Sequence, residues 1–370
     1  MSFESEVKAV VFTSPGADRG NHMTLLTELI DNTPRNGVIH VCISHFDSEP
    51  LADRLIAATQ RGVLVRIIME ANPGNKNDVI KEHIQQNSRI QITMAHGCFG
   101  SKIHTKLFLF SLTKLNGNTL RYVAAFGSAT MTGGSLNKHQ DTCVVADEQF
   151  HSGLRRHWQQ MLERAHPDPI NDSDAETPPV AEIFSTSTRV KAYLFPRSSD
   201  AVLNVINNLN GDVHNDTGQR PRIRIAMARW TRGRESIVDA LKDRVSDGCI
   251  VDLVLRRDPE DDDASGDDGV DPRIIADLQV WGTYHPGRVI IHVGRLTRDS
   301  QNVHNKYFLI EGFYGGGSEW ETNVWTGSEN WTGRAFKFND ELMVKFRDAE
   351  LYELYVRNHE RLKLLCERVF

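Results

Sequence analysis

The sequence lacks any run of about 20 apolar residues, the length a helix needs to span a bilayer. No transmembrane helix is therefore expected in its 370 residues. Its opening residues, Met1-Ser2-Phe3-Glu4-Ser5-Glu6, show no basic segment followed by an apolar core, so no signal peptide is expected. Cellular address is not written in the chain; a secreted form whose leader has been removed is the favoured reading. Cysteine is scarce. Cys42, Cys98, Cys143, Cys249 and Cys366 are odd in number, far apart and without a Cys-x-x-Cys pair. That spacing argues against a thiolate zinc site and a dense disulfide framework. All five are expected as thiols, though an exported protein could bridge one pair. An excess of positive charge is also missing: 43 Lys and Arg stand against 49 Asp and Glu, a formal net charge of -6. A broad basic face that wraps duplex DNA does not fit this balance, whereas a small local basic site does. What is present, 39% hydrophobic and 25% charged residues, is ordinary for a soluble globular protein. The length suits two domains or one duplicated one.

The most informative feature is a repeat. Ile103-His104-Thr105-Lys106-Leu107-Phe108-Leu109-Phe110 is followed by Phe126-Gly127-Ser128-Ala129-Thr130-Met131-Thr132. At a constant offset of 200 positions stand Val303-His304-Asn305-Lys306-Tyr307-Phe308-Leu309-Ile310 and Trp325-Thr326-Gly327-Ser328-Glu329-Asn330-Trp331-Thr332. Asp141 and Glu341 keep the same offset. A lone His-x-Lys says almost nothing. Two copies, each followed by Gly-Ser, a polar residue and an acid at a matched distance, point to one active site built from two half-sites.

Around these motifs the chain reads as α/β. Strands are expected at 7–12, 37–46, 63–69, 89–94, 103–110, 122–127 and 142–145, from β-branched and alternating apolar residues. Helices are expected at 24–30, from Asp47 or Ser48 to Gln60, at 78–86 and at 148–164. Continuous apolar strands joined by helices suggest sheets that are mixed but mostly parallel, covered on both faces. Residues 166–183, polar and proline-rich, form a linker between an N-terminal lobe, 1–165, and a C-terminal lobe, 184–370. The second lobe repeats the plan with strands at 192–195, 223–230, 249–255 and 288–293. Its helices fall at 201–209, 234–245 and 349–369. The acidic stretch 258–271 lacks the Gly and Glu placement of a calcium loop and reads as a solvated loop.

On a strand, His104 and Lys106 point to one side, as do His304 and Lys306. This set suits displacement at phosphorus. One imidazole attacks, while the other protonates the leaving oxygen and then activates water or an alcohol. Two lysines and an amide donor neutralise the non-bridging oxygens. An acid on the far ring nitrogen fixes the tautomer that leaves the attacking nitrogen its lone pair. The scheme needs no metal and no cofactor, and the sequence shows no metal-ligand cluster. Substrate contacts are expected from Thr130, Asn330, Ser128 and Ser328. Trp325, Trp331 and Trp230 read mainly as packing, with Trp331 the candidate for lining the substrate channel.

These residues resemble the phospholipase D superfamily, whose motif is His-x-Lys-x4-Asp followed by Gly-Ser/Gly-x-Asn. The second copy matches through His304, Lys306, Glu311 in the Asp position, Gly327, Ser328 and Asn330. The first copy has Ser111 where the Asp is expected and Thr130 where the Asn is expected. Leu51 to Val65 also resembles the family's helix-Arg-Gly-Val-strand element. The resemblance implies a duplicated α-β-α sandwich of two pseudo-twofold-related lobes, a cleft between them, and a covalent phosphohistidine. It implies His104 as nucleophile and His304 as acid then base, although the residues alone allow the roles to be exchanged. Asp141 would orient His104, and Glu341 would orient His304.

The leading expectation is a phospholipase D-type hydrolase acting on phospholipid head groups at a membrane or micelle surface. It could also transfer the phosphatidyl group to an alcohol, and it reads as a monomer. Compact bacterial secreted members are the nearer likeness, because the apolar N-terminal helices of cardiolipin synthases are missing. A nuclease or nucleotide phosphodiesterase of the same superfamily is the alternative, prompted by Arg220, Arg222, Arg224, Arg229, Arg232 and Arg234. A degenerate binding protein is the third reading, prompted by Thr130 and Ser111.

Overall fold

A computed structural model describes residues 6–16, 18–71, 76–214, 216–257, 269–294 and 302–370. The chain divides into two compact units. The first comprises Met1–Arg197, Gly327–Glu329 and Lys337–Met343; the second comprises Ser198–Thr326, Asn330–Phe336 and Val344–Phe370. Of the expected acidic loop at 258–271, only the last three residues lie among those described.

The first unit holds strands β1 (Val7–Thr13), β2 (Val38–Ile43), β3 (Leu64–Glu70), β4 (Gln91–Ala95), β5 (Lys102–Ile103), β6 (Lys106–Leu115), β7 (Asn118–Gly127) and β8 (Lys138–Ala146). It adds the hairpin β9 (Glu182–Phe184) and β10 (Val190–Leu194). Its helices are α1 (Asn21–Asp31), α2 (Glu49–Gln60), α3 (Asn77–Asn87) and α4 (Glu148–Glu163). The main sheet runs β1-β8-β7-β6-β2-β3-β4. Only β2, β3 and β4 pair in parallel; β6, β7, β8 and β1 are antiparallel. The parallel share is thus smaller than expected from the sequence. For β6 and β7 the reason is local. Asn116 and Gly117, at φ 50° and 78°, make a two-residue turn from β6 into β7, and such a turn can only join antiparallel neighbours.

Alternation along β2 assigns its two faces. Ile39, Val41 and Ile43 enter a core shared with α1, α2 and α3. His40 faces the other way and stacks on Trp158 of α4 at 4.3 Å. The Trp158 indole N–H donates to the Val41 carbonyl at 2.9 Å. Helices therefore cover both faces, and each fully buried Leu, Ile, Val or Phe contributes about 1.5–3 kcal/mol. Ser48 caps α2, its hydroxyl accepting from the Leu51 N–H, with Pro50 in the first turn as anticipated.

The second unit is a second copy of this plan. It contains α5 (Ala201–Asn207), β11 (Arg222–Met227), α6 (Glu235–Ser246), β12 (Ile250–Leu255), α7 (Pro272–Tyr284), β13 (Val289–Val293), β14 (Asn302–Val303), β15 (Lys306–Phe313) and most of β16 (Trp320–Gly327). Then follow α8 (Gly333–Phe338), β17 (Asn339–Asp340), which belongs to the first unit, β18 (Leu342–Phe346), α9 (Ala349–Leu365) and β19 (Glu367–Arg368). The strand order is β19-β13-β12-β11-β15-β16-β18. Register proves the duplication. Ile43 lies opposite Lys106 on one side and Met69 on the other; Met227 lies opposite Lys306 and Leu255 in the same way. Helix α7 was not anticipated, although Asp271 caps it and Pro272 opens it. Among the described residues no helix is long and apolar enough to cross a membrane. No disulfide links the five cysteines, all of which are buried.

Burial of imidazoles gives the first unit a pH signature. Burial depresses the pKa values of His22, His40, His151 and His157 to about 4. Such a ring binds its proton more weakly folded than unfolded, so its contribution is complete above about pH 6.5 and is lost as pH falls toward 4. Urea unfolding of the protein and of His157→Leu at pH 7.5 and pH 5 tests this. Acid is expected to cost the parent about 2 kcal/mol more than the variant. An equal loss in both would contradict the assignment.

Candidate active site

The first His-x-Lys does not lie on one unbroken strand. β5 ends at Ile103 and β6 begins at Lys106, leaving His104 and Thr105 in the break. The cause is β17, which pairs in parallel with β5. The Asp340 carbonyl accepts the N–H of His104 and of Thr105, each at 2.9 Å. One residue earlier, the Ile103 N–H donates to the Glu70 carboxylate at 2.5 Å. Three successive backbone N–H groups are thereby committed, and the His104 backbone has a fixed place.

The side chain is fixed as well. His104 Nδ1 lies 2.8 Å from both oxygens of Glu341. An ionised carboxylate only accepts, so Nδ1 carries a proton, and in the neutral ring Nε2 keeps its lone pair. Glu341 is buried and accepts in addition from Ser328 Oγ at 2.5 Å and Asn339 Nδ2 at 3.3 Å. This corrects the expected assignment of Asp141 to His104. Glu341 comes from the second copy of the motif, but residues 337–343 belong to the first unit, and that brings the carboxylate to the first histidine.

The Gly-Ser pairs serve the acids. Ser128 Oγ donates to Asp141 at 2.6 Å and accepts from the Asp141 N–H at 3.0 Å. Ser328 stands in the same way to Glu341 and to the Leu342 N–H. Both serines are fully buried, so they hold the acids rather than reaching substrate as expected. The preceding glycines are required by close approach. A Cβ on Gly127 would meet the Asp141 carbonyl oxygen at 2.2 Å, and one on Gly327 the Leu342 carbonyl oxygen at 2.0 Å.

Lys106 is nearly inaccessible, and its Nζ donates to the His104 carbonyl at 2.5 Å. Burial pulls its pKa down to about 7, against the opposing attraction of Glu341; Lys102 and Lys138 add to the depression. An arriving phosphate oxygen would favour the charged form. In the second unit Lys306 Nζ donates to the His304 carbonyl at 2.8 Å and lies 3.3–3.4 Å from the ring nitrogens. Each His-x-Lys thus folds its lysine back over its own histidine. Thr130 is mostly buried, with its N–H on the Gln140 side-chain oxygen at 3.4 Å. Asn330 is buried to the same degree. Trp331, the candidate for the substrate channel, is 1% exposed and packs edge-on against Trp230 at 4.8 Å and near Phe308. It is a core residue.

The departures from the motif are structural. Ser111 Oγ accepts the Val38 N–H at 3.0 Å. Glu311 engages Arg224, Gln219 and the Tyr352 hydroxyl. Arg224 is therefore committed to an internal network, and Arg234 pairs with Asp200 at 2.9 Å. Two buried carboxylates were missed in the sequence. Asp340 accepts the N–H groups of Cys98 at 2.7 Å, Phe99 at 2.9 Å and Gly100 at 3.0 Å. Burial raises Asp340 and Glu70 to about 7, with backbone N–H donors opposing in each case. The available signal was the doublet Asp340-Glu341, where the other copy has Gln140-Asp141.

Comparison with known proteins agrees with the duplicated fold. A family described as cardiolipin synthase, PLD-like domain, matches residues 26–164 and 218–363, one segment per copy. A search of curated protein sequences gave no match. Among solved structures, phosphatidylserine synthase of Haemophilus influenzae Rd KW20 superposes with a TM-score of 0.67 at 10% identity. That match covers 97% of this chain and 87% of the synthase. Polyphosphate kinase of Porphyromonas gingivalis gives a TM-score of 0.59 at 14% identity over 96% of this chain, which spans half the kinase's length. At these identities the structures establish the shared fold. With both motif segments covered by the family match, the chain belongs to the phospholipase D-like family of phosphodiester-processing enzymes.

The His104 geometry makes a direct prediction. Glu341→Gln preserves shape but supplies an amide where the acceptor stood. Turnover of a phosphodiester substrate is expected to fall at least about 100-fold, with KM changed little. Undiminished kcat would remove the carboxylate from the chemistry.

Proposed function

We propose that the protein is a phospholipase D-type phosphodiesterase that cleaves phospholipid head groups through a phosphohistidine at His104. The observation that carries the reading is the buried Glu341 carboxylate on His104 Nδ1, which in the neutral ring assigns the lone pair to Nε2. Nε2 forms a bond to phosphorus as the head-group oxygen departs, and His304 gives that oxygen its proton. His304 then takes a proton from water, whose oxygen displaces the imidazole and releases phosphatidic acid. An alcohol in place of water gives phosphatidyl transfer, the direction favoured by the cardiolipin synthase description of the matching family. Lys106 and Lys306 offset the charge that builds on the non-bridging oxygens, and Asn330 and Thr130 are assigned to hold them. General acid and base catalysis contributes about 10²- to 10⁴-fold, so positioning and charge stabilisation supply the remainder.

The partner in this reading is a phospholipid surface met by a single chain. The arginine face that prompted a nuclease reading is weakened, since Arg224 and Arg234 are engaged internally.

Incubation with choline phospholipid vesicles and, separately, with single-stranded DNA, both in chelator, tests the substrate class. Choline release without DNA cleavage is expected. Cleavage of DNA alone would transfer the reading to a nuclease, and inertness toward both would reject it. His104→Ala is expected to abolish turnover. Full activity in that variant would end the scheme.

A further inference from the structure

The two copies of the repeat are unequal at one buried position, which the chemistry above leaves unused. Asp340 is 1% exposed, and at the offset of 200 its counterpart is Gln140. Gln140 serves its own neighbourhood, bonding the Thr130 N–H and the Ser135 carbonyl. Asp340 instead has three links to His104, all inside the first unit. Its carboxylate gathers the N–H groups of Cys98, Phe99 and Gly100, the loop that enters β5. Its carbonyl takes the His104 and Thr105 N–H groups. Its chain neighbour, Glu341, holds the imidazole.

The loop is shaped for this contact. Gly97 is at φ 109°, and a Cβ on it would meet the Gly100 carbonyl oxygen at 2.0 Å. A Cβ on Gly100 would meet the Phe338 carbonyl oxygen at 2.4 Å, and the Asp340 nitrogen at 2.8 Å. The backbone therefore closes around the Asp340 carboxylate only because these two positions lack side chains. The titratable groups that act on the carboxylate are Glu70 of β3, Cys42 of β2, Cys98 of the loop and Glu341; Lys102 of β5 acts on Glu70, and Lys106 of β6 on Glu341.

We propose that Asp340 is the positioning residue of His104: by anchoring the 98–100 loop and β5 together it sets the placement and tautomer of that imidazole. The proposal rests on the reading of His104 as nucleophile, and a carboxylate with three backbone donors suits the task. Three N–H bonds to one charged group define a position more sharply than the amide contacts of Gln140 in the other copy. Asp340 touches no reacting atom, so its loss should slow the step at His104 while leaving affinity unchanged.

The near-isosteric Asp340→Asn tests this. One oxygen remains for the Phe99 and Gly100 donors, and the acceptor for Cys98 is lost. A 10- to 100-fold fall in kcat with KM within twofold is expected, with the acid limb of the pH profile displaced. Asp340→Glu keeps the acceptors on a longer stem and is expected to fall between the variant and the parent. An unchanged kcat, or a loss explained by the fraction unfolded, would overturn the proposal. If Asp340→Asn does not fold, the kcat and KM split of Asp340→Glu decides by the same criteria. A second readout does not depend on turnover. The imidazole ¹⁵N resonances of His104, identified by their absence in His104→Gln, are expected to report the Nδ1–H tautomer in the parent and a mixture in Asp340→Asn. Identical resonances would overturn the proposal whatever the substrate is. A parent inactive on every phosphodiester, but with the shifted resonances, would reject the functional reading and uphold the positioning.

Discussion

The hydrogen bond between His104 Nδ1 and the Glu341 carboxylate is the constraint on which the rest of the site depends. It fixes a proton on Nδ1, and therefore gives the lone pair of the neutral ring to Nε2. Its two partners lie 237 positions apart in sequence yet fold into the same compact unit. The duplication is thus not two self-sufficient halves in series. The second copy lends its acid, its Gly-Ser pair and β17 to the histidine of the first. A chain cut between the repeats would leave His104 without its carboxylate.

Keeping so many charges out of water is costly, and the structure meets that cost with specific partners. Glu341 accepts from His104, Ser328 and Asn339. Asp340 accepts three backbone N–H groups and Glu70 accepts one. Lys106, inside the same cluster, is held near the edge of deprotonation by burial. In the proposed reading, a substrate phosphate beside Lys106 would favour its charged form and offset that penalty. Outside this cluster the polar interior serves the fold: Asp252 is held ionised by His359 and Lys363, and Glu311 ties Arg224 to Tyr352.

Most of the architecture was legible in the amino-acid order. The β-α-β plan, the Ser48 cap and the equivalence of the copies follow from periodicity and from the constant offset between His104 and His304. Three features were not. The Asn116-Gly117 turn makes β6 and β7 antiparallel, a signal present in the sequence but outweighed by the apolar strands. Trp331 sits beside Asn330 in sequence, but its ring turns into the core against Trp230, because neighbours on an irregular segment need not share an environment. The reach of Glu341 to His104 is a property of topology. Offsets along a chain show that Asp141 and Glu341 are equivalent, and say nothing about which histidine each one reaches. The roles of Ser128 and Ser328 follow the same logic: their chemistry was readable, their direction was not.

The central claim is that His104 is a nucleophile prepared by Glu341. The most direct measurement is to quench the protein during turnover of a phospholipid labelled with ³²P and map the label by alkaline peptide digestion and mass spectrometry. The label bonded to the imidazole of His104, as the phosphatidyl group or its deacylated remnant, is the predicted result. Label confined to His304, or steady turnover with no histidine-bound phosphate at any quench time, would contradict it.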